Sequence, residues 1–210
     1  MATHFGIHEY DDILPDISKR ANEEDIEMME DWLEDINDFD DDDLSADNKI
    51  SKKLGIHILE LMLFRMKYLE HWKKNPSVPD TIGSSILLLL KREFAPLKKR
   101  LKSIKGRIED IPRIVEEEKT RLEDPVRLWV DMAIESTERL PMMFKLVLMI
   151  AKESGLEDKE LEELSSSVDE ADQALEEYIE WLHDLKMESK DEFAIGKEKF
   201  DKLLEKREIG

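Results

Sequence analysis

The sequence predicts an all-α protein: an irregular bundle of about seven to nine helices, with one long heptad-patterned helix near the C-terminus. Apolar residues recur at spacings of three and four along almost the whole chain, and no alternating stretch is long enough for a strand. Leu, Ile, Val and Phe together make up 59 of the 210 residues, above the roughly 20% below which a highly charged chain stays disordered. We therefore expect a folded helical chain whose exposed faces are charged.

The first two helices are predicted from their N-terminal caps. Ser18 can cap a helix that ends in the acidic run at 38–43, because clustered carboxylates oppose the negative end of a helix dipole. Ser45 can cap the second helix, with Asp47 in its first turn. Apolar residues surround the middle of this second helix on two stripes, which predicts that it lies in the centre of the bundle.

Prolines delimit the helices in the middle of the chain. A turn containing two prolines precedes Asp80, which we expect to cap a short apolar helix over 82–90. Pro96 can start a helix that ends near Gly106, and Pro112 can start the next one. These residues predict three short helices in succession.

Two longer helices are predicted after position 120. Asp124 and Pro125 form a cap and first-turn pair, which is a strong helix start. Pro141 should kink or restart this helix because its ring removes the bond to the Thr137 carbonyl, and Gly155 should close it. The next helix carries a seam of apolar residues spaced alternately three and four apart: Leu161, Leu164, Val168, Ala171, Leu175, Tyr178, Leu182 and Leu185. The seam predicts packing against a near-antiparallel helix of the same bundle, and an intermolecular coiled coil is the alternative.

The organisation of the chain predicts a single helical domain over residues 1–210. We find no internal repeat and no linker long enough to separate two domains. A final short helix is expected at about 197–207, after a break at Gly196.

Charge and composition exclude several classes of function. The net charge of −20 repels both a phosphate backbone and an anionic lipid surface, so we expect no nucleic-acid and no membrane partner. The absence of cysteine excludes disulfides, thiol catalysis and cysteine zinc sites. The N-terminus does not resemble a signal peptide, so a cytoplasmic location is expected. A single glutamine beside abundant Glu and Lys hints at a thermophilic source.

The motif search predicts no catalytic, cofactor-binding or metal site. His57 and Glu60 lie three apart, as in di-iron carboxylate bundles, but a hydrogen-bonded histidine at the edge of the core fits the apolar neighbours better. The acidic run at 38–43 lacks the glycine and glutamate of an EF-hand loop and is expected to be a solvated connection. The basic stretch at 98–107 is expected to pair with acidic helices rather than to bind an anion.

Three short motifs stand out by their order along the chain. The first runs from Ala2 through Gly-Ile-His-Glu-Tyr-Asp-Asp at 6–12, followed by Leu-Pro-Asp at 14–16. The second is Glu-Asp-Pro at 123–125, and the third is Phe-Ala-Ile-Gly at 193–196. In order and spacing these motifs resemble the domain-of-unknown-function family 885, along nearly the whole chain.

The resemblance implies a mostly helical, cleft-shaped, zinc-metallopeptidase-like protein. The zinc motif of the family, of the type His-Glu-x-x-x-Gly-His, has no counterpart in this sequence. The resemblance therefore implies that this chain corresponds to the N-terminal part of the family architecture, and that zinc belongs to the C-terminal part. It points to Gly6, His8, Tyr10, Asp11 and Asp12 as residues of a cleft that could orient an amine or a peptide N-terminus. The alternative is that Asp11 and Asp12 order a loop by accepting backbone N–H groups.

Two functional hypotheses result. The first is a non-catalytic helical N-terminal domain that forms one wall of a substrate cleft, with the C-terminal catalytic part as its partner and the helix at 197–207 as the junction. A full-length member would then be a zinc-dependent peptidase or hydrolase, whereas this chain alone is not expected to be an enzyme. The alternative is a stand-alone acidic helical scaffold that binds a protein partner. We also expect a weak, salt-promoted homodimer formed through the last helix.

Overall fold

The structure, a computed structural model, describes residues 2–207; residues 1 and 208–210, which the predicted domain includes, lie outside it. Eight α-helices occur in the described part: α1 Lys19–Asp38, α2 Ala46–Phe64, α3 Val78–Lys91, α4 Leu97–Glu109, α5 Ile111–Arg121, α6 Arg127–Glu153, α7 Asp158–Glu188 and α8 Lys197–Lys206. Three 3-10 turns and one π-helical turn at Arg65–Leu69 join or precede them. These residues contain no β-strand, and the predicted all-α bundle is confirmed.

Helices α6 and α7 form the antiparallel hairpin on which the bundle is built. Gly155 closes α6 with a φ of +72°, as expected for a glycine that follows a helix. The predicted heptad seam packs within the chain, and its central residues are buried: Leu164, Val168, Ala171, Leu175, Tyr178 and Leu182. The described structure therefore uses this seam inside the bundle, as the sequence predicts.

Helices α3, α4 and α5 pack against this hairpin and complete the main core. Their inward-facing branched residues are fully buried: Ile82, Ile86, Ile104, Ile108, Ile111 and Ile114. Each such side chain contributes about 1.5–3 kcal/mol when it leaves water. Leu14 of the N-terminal segment joins the same core, which fixes that segment on the surface of the bundle.

The prediction that α2 lies in the centre of the bundle is wrong. Helix α2 packs on α1 and α8 at the side of the molecule, and only Leu59 and Phe64 of the helix are buried. Ile50, Leu54 and Ile58 form an exposed apolar stripe, with Ile50 66% exposed. The reason is that α3 to α7 already close the main core. The face of α2 that carries Ile50, Leu54 and Ile58 therefore has no neighbour in the described chain.

Several helix boundaries also differ from those predicted. Helix α3 begins at Val78 with Ser77 as its cap, so Asp80 lies in the first turn and does not cap the helix. Pro96 is the cap of α4, and this helix continues through Gly106 to Glu109. Helix α6 runs through Pro141 without restarting, because packing on both sides holds the helix together despite the missing N–H.

The start of α6 lies two residues later than the Asp124–Pro125 pair predicts. Val126 is extended and forms an isolated parallel bridge with Lys190. The Pro125 carbonyl accepts the Lys190 N–H at 3.1 Å, and the Arg127 N–H donates to the Lys190 carbonyl at 2.8 Å. The bridge replaces the expected first turn and ties the end of α7 to the start of α6.

Helix α8 lies where the final helix was predicted, and it docks on α2. The Lys206 ammonium pairs with the Glu60 carboxylate at 3.2 Å, and Lys199 donates to the Tyr68 carbonyl at 2.6 Å. Gly196, with a φ of +79°, gives the chain the turn that precedes the helix. None of the described helices is both long enough and apolar enough to cross a membrane.

Candidate functional site

The N-terminal segment, residues 2–17, is fastened to α4 and α5 by charged side chains. The Asp110 carboxylate accepts the Leu14 N–H at 2.8 Å, and Arg113 donates to the Leu14 carbonyl at 2.9 Å. Although burial opposes its ionisation, hydrogen bonds from Arg113 and from the Leu14 backbone hold the pKa of Asp110 below its usual value. Glu117 accepts the Ile17 N–H at 3.0 Å. The segment is therefore part of the folded surface.

Gly106 allows the backbone of this segment to approach α4 closely. A Cβ atom at position 106 would lie 2.5 Å from the Asp12 carbonyl oxygen and 2.9 Å from the Asp12 Cβ. Glycine is needed here for space, since its φ is that of an ordinary helical residue. This contact places Asp12 against α4.

Asp11 is the centre of a small polar cluster in the segment. Its carboxylate is 5% exposed and accepts hydrogen bonds from the Thr3 hydroxyl at 2.7 Å and from His8 Nδ1 at 2.9 Å. The His8 ring stacks on Phe94 with 3.9 Å between the ring centroids. Asp11 therefore orders the loop through side chains, whereas the loop-ordering alternative expected it to bind backbone N–H groups.

Arg107 of α4 extends this cluster into the molecule. The residue is 5% exposed, and its guanidinium donates to the Ser85 carbonyl and to the Thr3 hydroxyl, both at 2.8 Å. Its Nε atom is buried and has no hydrogen-bond partner among residues 2–207. Burial lowers the pKa of Arg107, and the nearby charges of Asp11 and Asp12 offset only part of that effect.

A cavity of about 450 Å³ opens between the N-terminal segment and α3, with Arg107 in its lining. The lining includes four residues with hydroxyl groups: Thr3, Thr81, Ser84 and Ser85. It also includes the apolar side chains of Ile13, Leu14 and Leu88. Tyr10, which is 53% exposed, also contributes to the lining. This mixture of apolar surface with a few polar groups is typical of a small-ligand site.

The five sequence-predicted candidates do not form one site. Tyr10 lines the cavity, and Asp11 and His8 order the loop that carries it. Gly6 has a φ of +76° and provides a turn. Asp12 lies beside Gly106 in a separate cavity of about 300 Å³ that Lys102 and Lys105 also line.

Sequence reasoning missed Arg107 and the serines of α3. Two of the four lysines of the basic stretch pair with acidic side chains: Lys102 with Glu160 of α7 at 2.8 Å, and Lys105 with Glu109 of its own helix at 2.7 Å. Arg100 and Arg107 instead donate to backbone carbonyls and are buried. The sequence did indicate this burial, because the two arginines are seven residues apart and therefore lie on the apolar face of α4.

A second buried polar cluster joins three helices. The Glu118 carboxylate of α5 is fully buried and accepts the N–H groups of Ser77 at 2.7 Å and of Val78 at 3.2 Å. It also accepts hydrogen bonds from Arg121 and from the Tyr178 hydroxyl. This carboxylate caps the N-terminus of α3 and links it to α5 and α7.

The described residues do not provide a zinc site. No group of three or more His, Cys, Asp or Glu side chains lies close enough together within residues 2–207 to hold a metal ion. His57 and Glu60 are not joined by further carboxylates there, and Glu60 pairs with Lys206. Residues 2–207 therefore form no cluster that could hold a zinc ion, and the resemblance itself assigns zinc to the C-terminal part of the family architecture.

Comparison with known proteins gives a family and a fold. The family model described as "Bacterial protein of unknown function (DUF885)" matches residues 1–208. The chain is also similar to a solved structure from Shewanella oneidensis, titled as that of a "putative lipoprotein of unknown function", with a TM-score of 0.83 and 23% identity. The match covers 98% of this chain but only 38% of that one. No protein with a curated description matches the sequence.

Proposed function

The chain belongs to the DUF885 family, and from this we propose that it is a non-catalytic helical domain that forms one wall of a substrate cleft in a metallopeptidase-like protein. The observation that carries the proposal is the open cavity between the N-terminal segment and α3. Tyr10 and Arg107 line it together with hydroxyl and apolar side chains, and the Asp11 cluster orders its rim. A cavity of this composition can bind part of a substrate without performing chemistry on it.

The size of the chain supports a role as one part of a larger architecture. The chain spans about 38% of the length of the similar Shewanella oneidensis structure, so its fold can form a minor part of a longer protein. In our proposal the remaining part supplies the zinc ligands and the catalytic groups. The N-terminal position of this domain and its partnership with that part belong to the same proposal.

Metal analysis combined with a peptidase assay tests the non-catalytic role. We expect the purified 210-residue chain to bind no stoichiometric zinc and to cleave no peptide in a mixed peptide pool. A longer family protein that contains a His-Glu-x-x-x-Gly-His motif is the positive control. Stoichiometric zinc together with turnover by the 210-residue chain would contradict the proposal.

A second candidate function is supported by the exposed stripe of α2. Ile50, Leu54 and Ile58 present an apolar face on a protein of net charge −20. The partner that fits this face is an amphipathic helix with basic flanks, which makes the chain an acidic scaffold. Leu54→Glu should abolish such binding, whereas Ser166→Glu, a change on an exposed position of α7, should not. A cytoplasmic location stays a prediction under both candidates.

A further inference from the structure

We infer that the cavity beside the N-terminal segment binds the carboxylate of a small ligand with an apolar side chain, and that Arg107 receives that carboxylate. This inference rests on the proposed cleft and deepens it by naming the chemistry of the ligand. It depends on the partners of Arg107, the lining of the cavity and its size.

Arg107 is a buried cation whose direct partners are neutral. Its guanidinium is 5% exposed and donates to a backbone carbonyl of Ser85 and to the Thr3 hydroxyl. The Thr3 hydroxyl in turn donates to Asp11, so the nearest hydrogen-bonded carboxylate is one residue removed from Arg107. Burying a charge without a direct counter-charge is unfavourable, so an anionic group is favoured in the adjacent cavity.

The Nε atom of Arg107 is a hydrogen-bond donor that an anionic ligand could satisfy. Nε is buried and has no hydrogen-bond partner within residues 2–207, although buried donors in folded proteins nearly always have one. The same is true of Nε in Arg121 and Arg127, but of these three arginines only Arg107 lines the cavity. A guanidinium binds a carboxylate or phosphate in a planar, often paired geometry. Of these two anions a carboxylate fits better, because the cavity offers one arginine and a large apolar surface and not a cluster of cations.

The rest of the lining indicates what the carboxylate is attached to. The Ser85 hydroxyl donates to the Ile82 carbonyl at 2.9 Å, whereas the Ser84 hydroxyl makes only a long bond of 3.4 Å to the Thr81 carbonyl. Ser84 can exchange that bond for one to the second carboxylate oxygen or to an adjoining amide, and the Ser85 hydroxyl can accept from the amide. Ile13, Leu14 and Leu88 can cover an aliphatic side chain. A volume of about 450 Å³ suits a ligand of the size of an acylated amino acid or a dipeptide. Asp11 makes no direct hydrogen bond to Arg107, since its carboxylate accepts from Thr3 and His8, and its charge offsets only part of the effect of burial on the pKa of Arg107.

Isothermal titration with a matched ligand pair tests the inference. N-acetyl-leucine carries the carboxylate, and N-acetyl-leucinamide has the same shape without the charge. We expect the acid to bind the purified chain at least tenfold more tightly than the amide. Arg107→Lys should reduce this preference at least fivefold, because an ammonium keeps the charge but loses the planar pair of donors.

A second variant tests the same site in case the Arg107 variant does not fold. Ser84 is exposed on α3 at the cavity, so Ser84→Leu fills the cavity and leaves Arg107 in place. This change should weaken binding of the acid at least tenfold, whereas Ser166→Leu on α7 should leave binding unchanged. Circular dichroism confirms that each variant remains folded.

The possible outcomes separate this inference from the proposed function. Equal binding of acid and amide would overturn the carboxylate site and leave the cleft supported. Acid binding that survives Ser84→Leu would place the ligand elsewhere and overturn the inference. Absence of binding by both ligands at millimolar concentration would overturn the inference and also remove the main support for the cleft.

Discussion

Gly106 is a residue of α4 that the backbone of the N-terminal segment approaches closely. Gly106→Ala places a Cβ 2.5 Å from the Asp12 carbonyl, so we expect a loss of about 1–3 kcal/mol in the free energy of unfolding. Gly83→Ala on α3 is the control, because its Cβ would meet only Leu140 at 3.9 Å. This control should stabilise the protein by up to about 1 kcal/mol through helix propensity. Equal stabilisation of both variants in urea unfolding would contradict the close contact.

The ionisation of Tyr178 makes the free energy of unfolding depend on pH in the alkaline range. Burial of the phenol, together with the negative charge of Glu118, raises the pKa of Tyr178 well above its usual value. Since the unfolded chain loses this proton near pH 10 and the folded chain keeps it, stability should fall as the pH rises through about 10. In an alkaline titration followed by tyrosinate absorbance, the increase that comes from Tyr178 should appear only when the protein unfolds. The Tyr178→Phe variant should lack this increase. Ionisation of all three tyrosines with an unchanged circular dichroism spectrum would contradict this.

The residues of the candidate site show which contacts can be predicted from local sequence patterns and which cannot. The motif at 6–12 lies in the segment that borders the cavity, since Tyr10 lines the cavity and Asp11 orders the loop. Arg107 could not be assigned to the same site, because it is about 100 residues away in sequence and meets Thr3 only after folding. Local patterns therefore singled out a segment that borders the cavity, but not Arg107.

At the scale of the helices, Glu118 is the main link between elements. Glu118→Gln leaves Arg121 without its buried counter-charge, and the neutral amide also caps the start of α3 less well than a carboxylate. We expect a loss of about 3–5 kcal/mol in the free energy of unfolding, measured by urea denaturation. Glu116→Gln, which affects an exposed pair with Lys119, should change the same quantity by less than about 0.5 kcal/mol. Similar values for the two variants would refute the linking role of Glu118.

Helix boundaries were predictable only where their causes were local. Ser18 and Ser45 cap α1 and α2 as predicted, because each side chain bonds an N–H three residues ahead. The start of α3 depends on Glu118, which is forty residues away, and the start of α6 depends on the bridge to Lys190. Such partners are created by the tertiary fold and leave no signal in the adjacent sequence.

The position of α2 is another feature that the local sequence pattern does not determine. Apolar residues around a helix indicate that several of its faces can be covered, but they do not say by which element. In the described chain, α1 and α8 cover part of α2 and leave Ile50, Leu54 and Ile58 exposed. The apolar pattern was therefore identified correctly, and the inference from it to a central position was wrong.

At the scale of the whole molecule, we expect self-association to depend on the net charge and on Phe200. Phe200 on α8 is 50% exposed, and its burial against a second copy would be favourable. The charge of −20 opposes this, and salt screens that repulsion within about 8 Å at physiological ionic strength. We expect sedimentation to detect a monomer at low salt and a weak dimer at high salt.

Phe200→Asp should remove the salt-promoted dimer. Phe39→Asp adds the same charge at another exposed position and should keep the dimer, which makes it the matched control. A monomer at both ionic strengths in the unmodified protein would contradict the proposed self-association.

In our proposal the cavity between the N-terminal segment and α3 is the substrate-binding surface of this domain. The most direct measurement is a residue-resolved NMR titration of the 210-residue chain with the tripeptide Ala-Leu-Ala. We predict that the amide signals of Thr3, Tyr10 and Ser84 shift in a saturable manner, while those of Ile50 and Leu54 on α2 do not. Saturable shifts confined to the exposed stripe of α2, with the cavity signals unchanged, would contradict the claim.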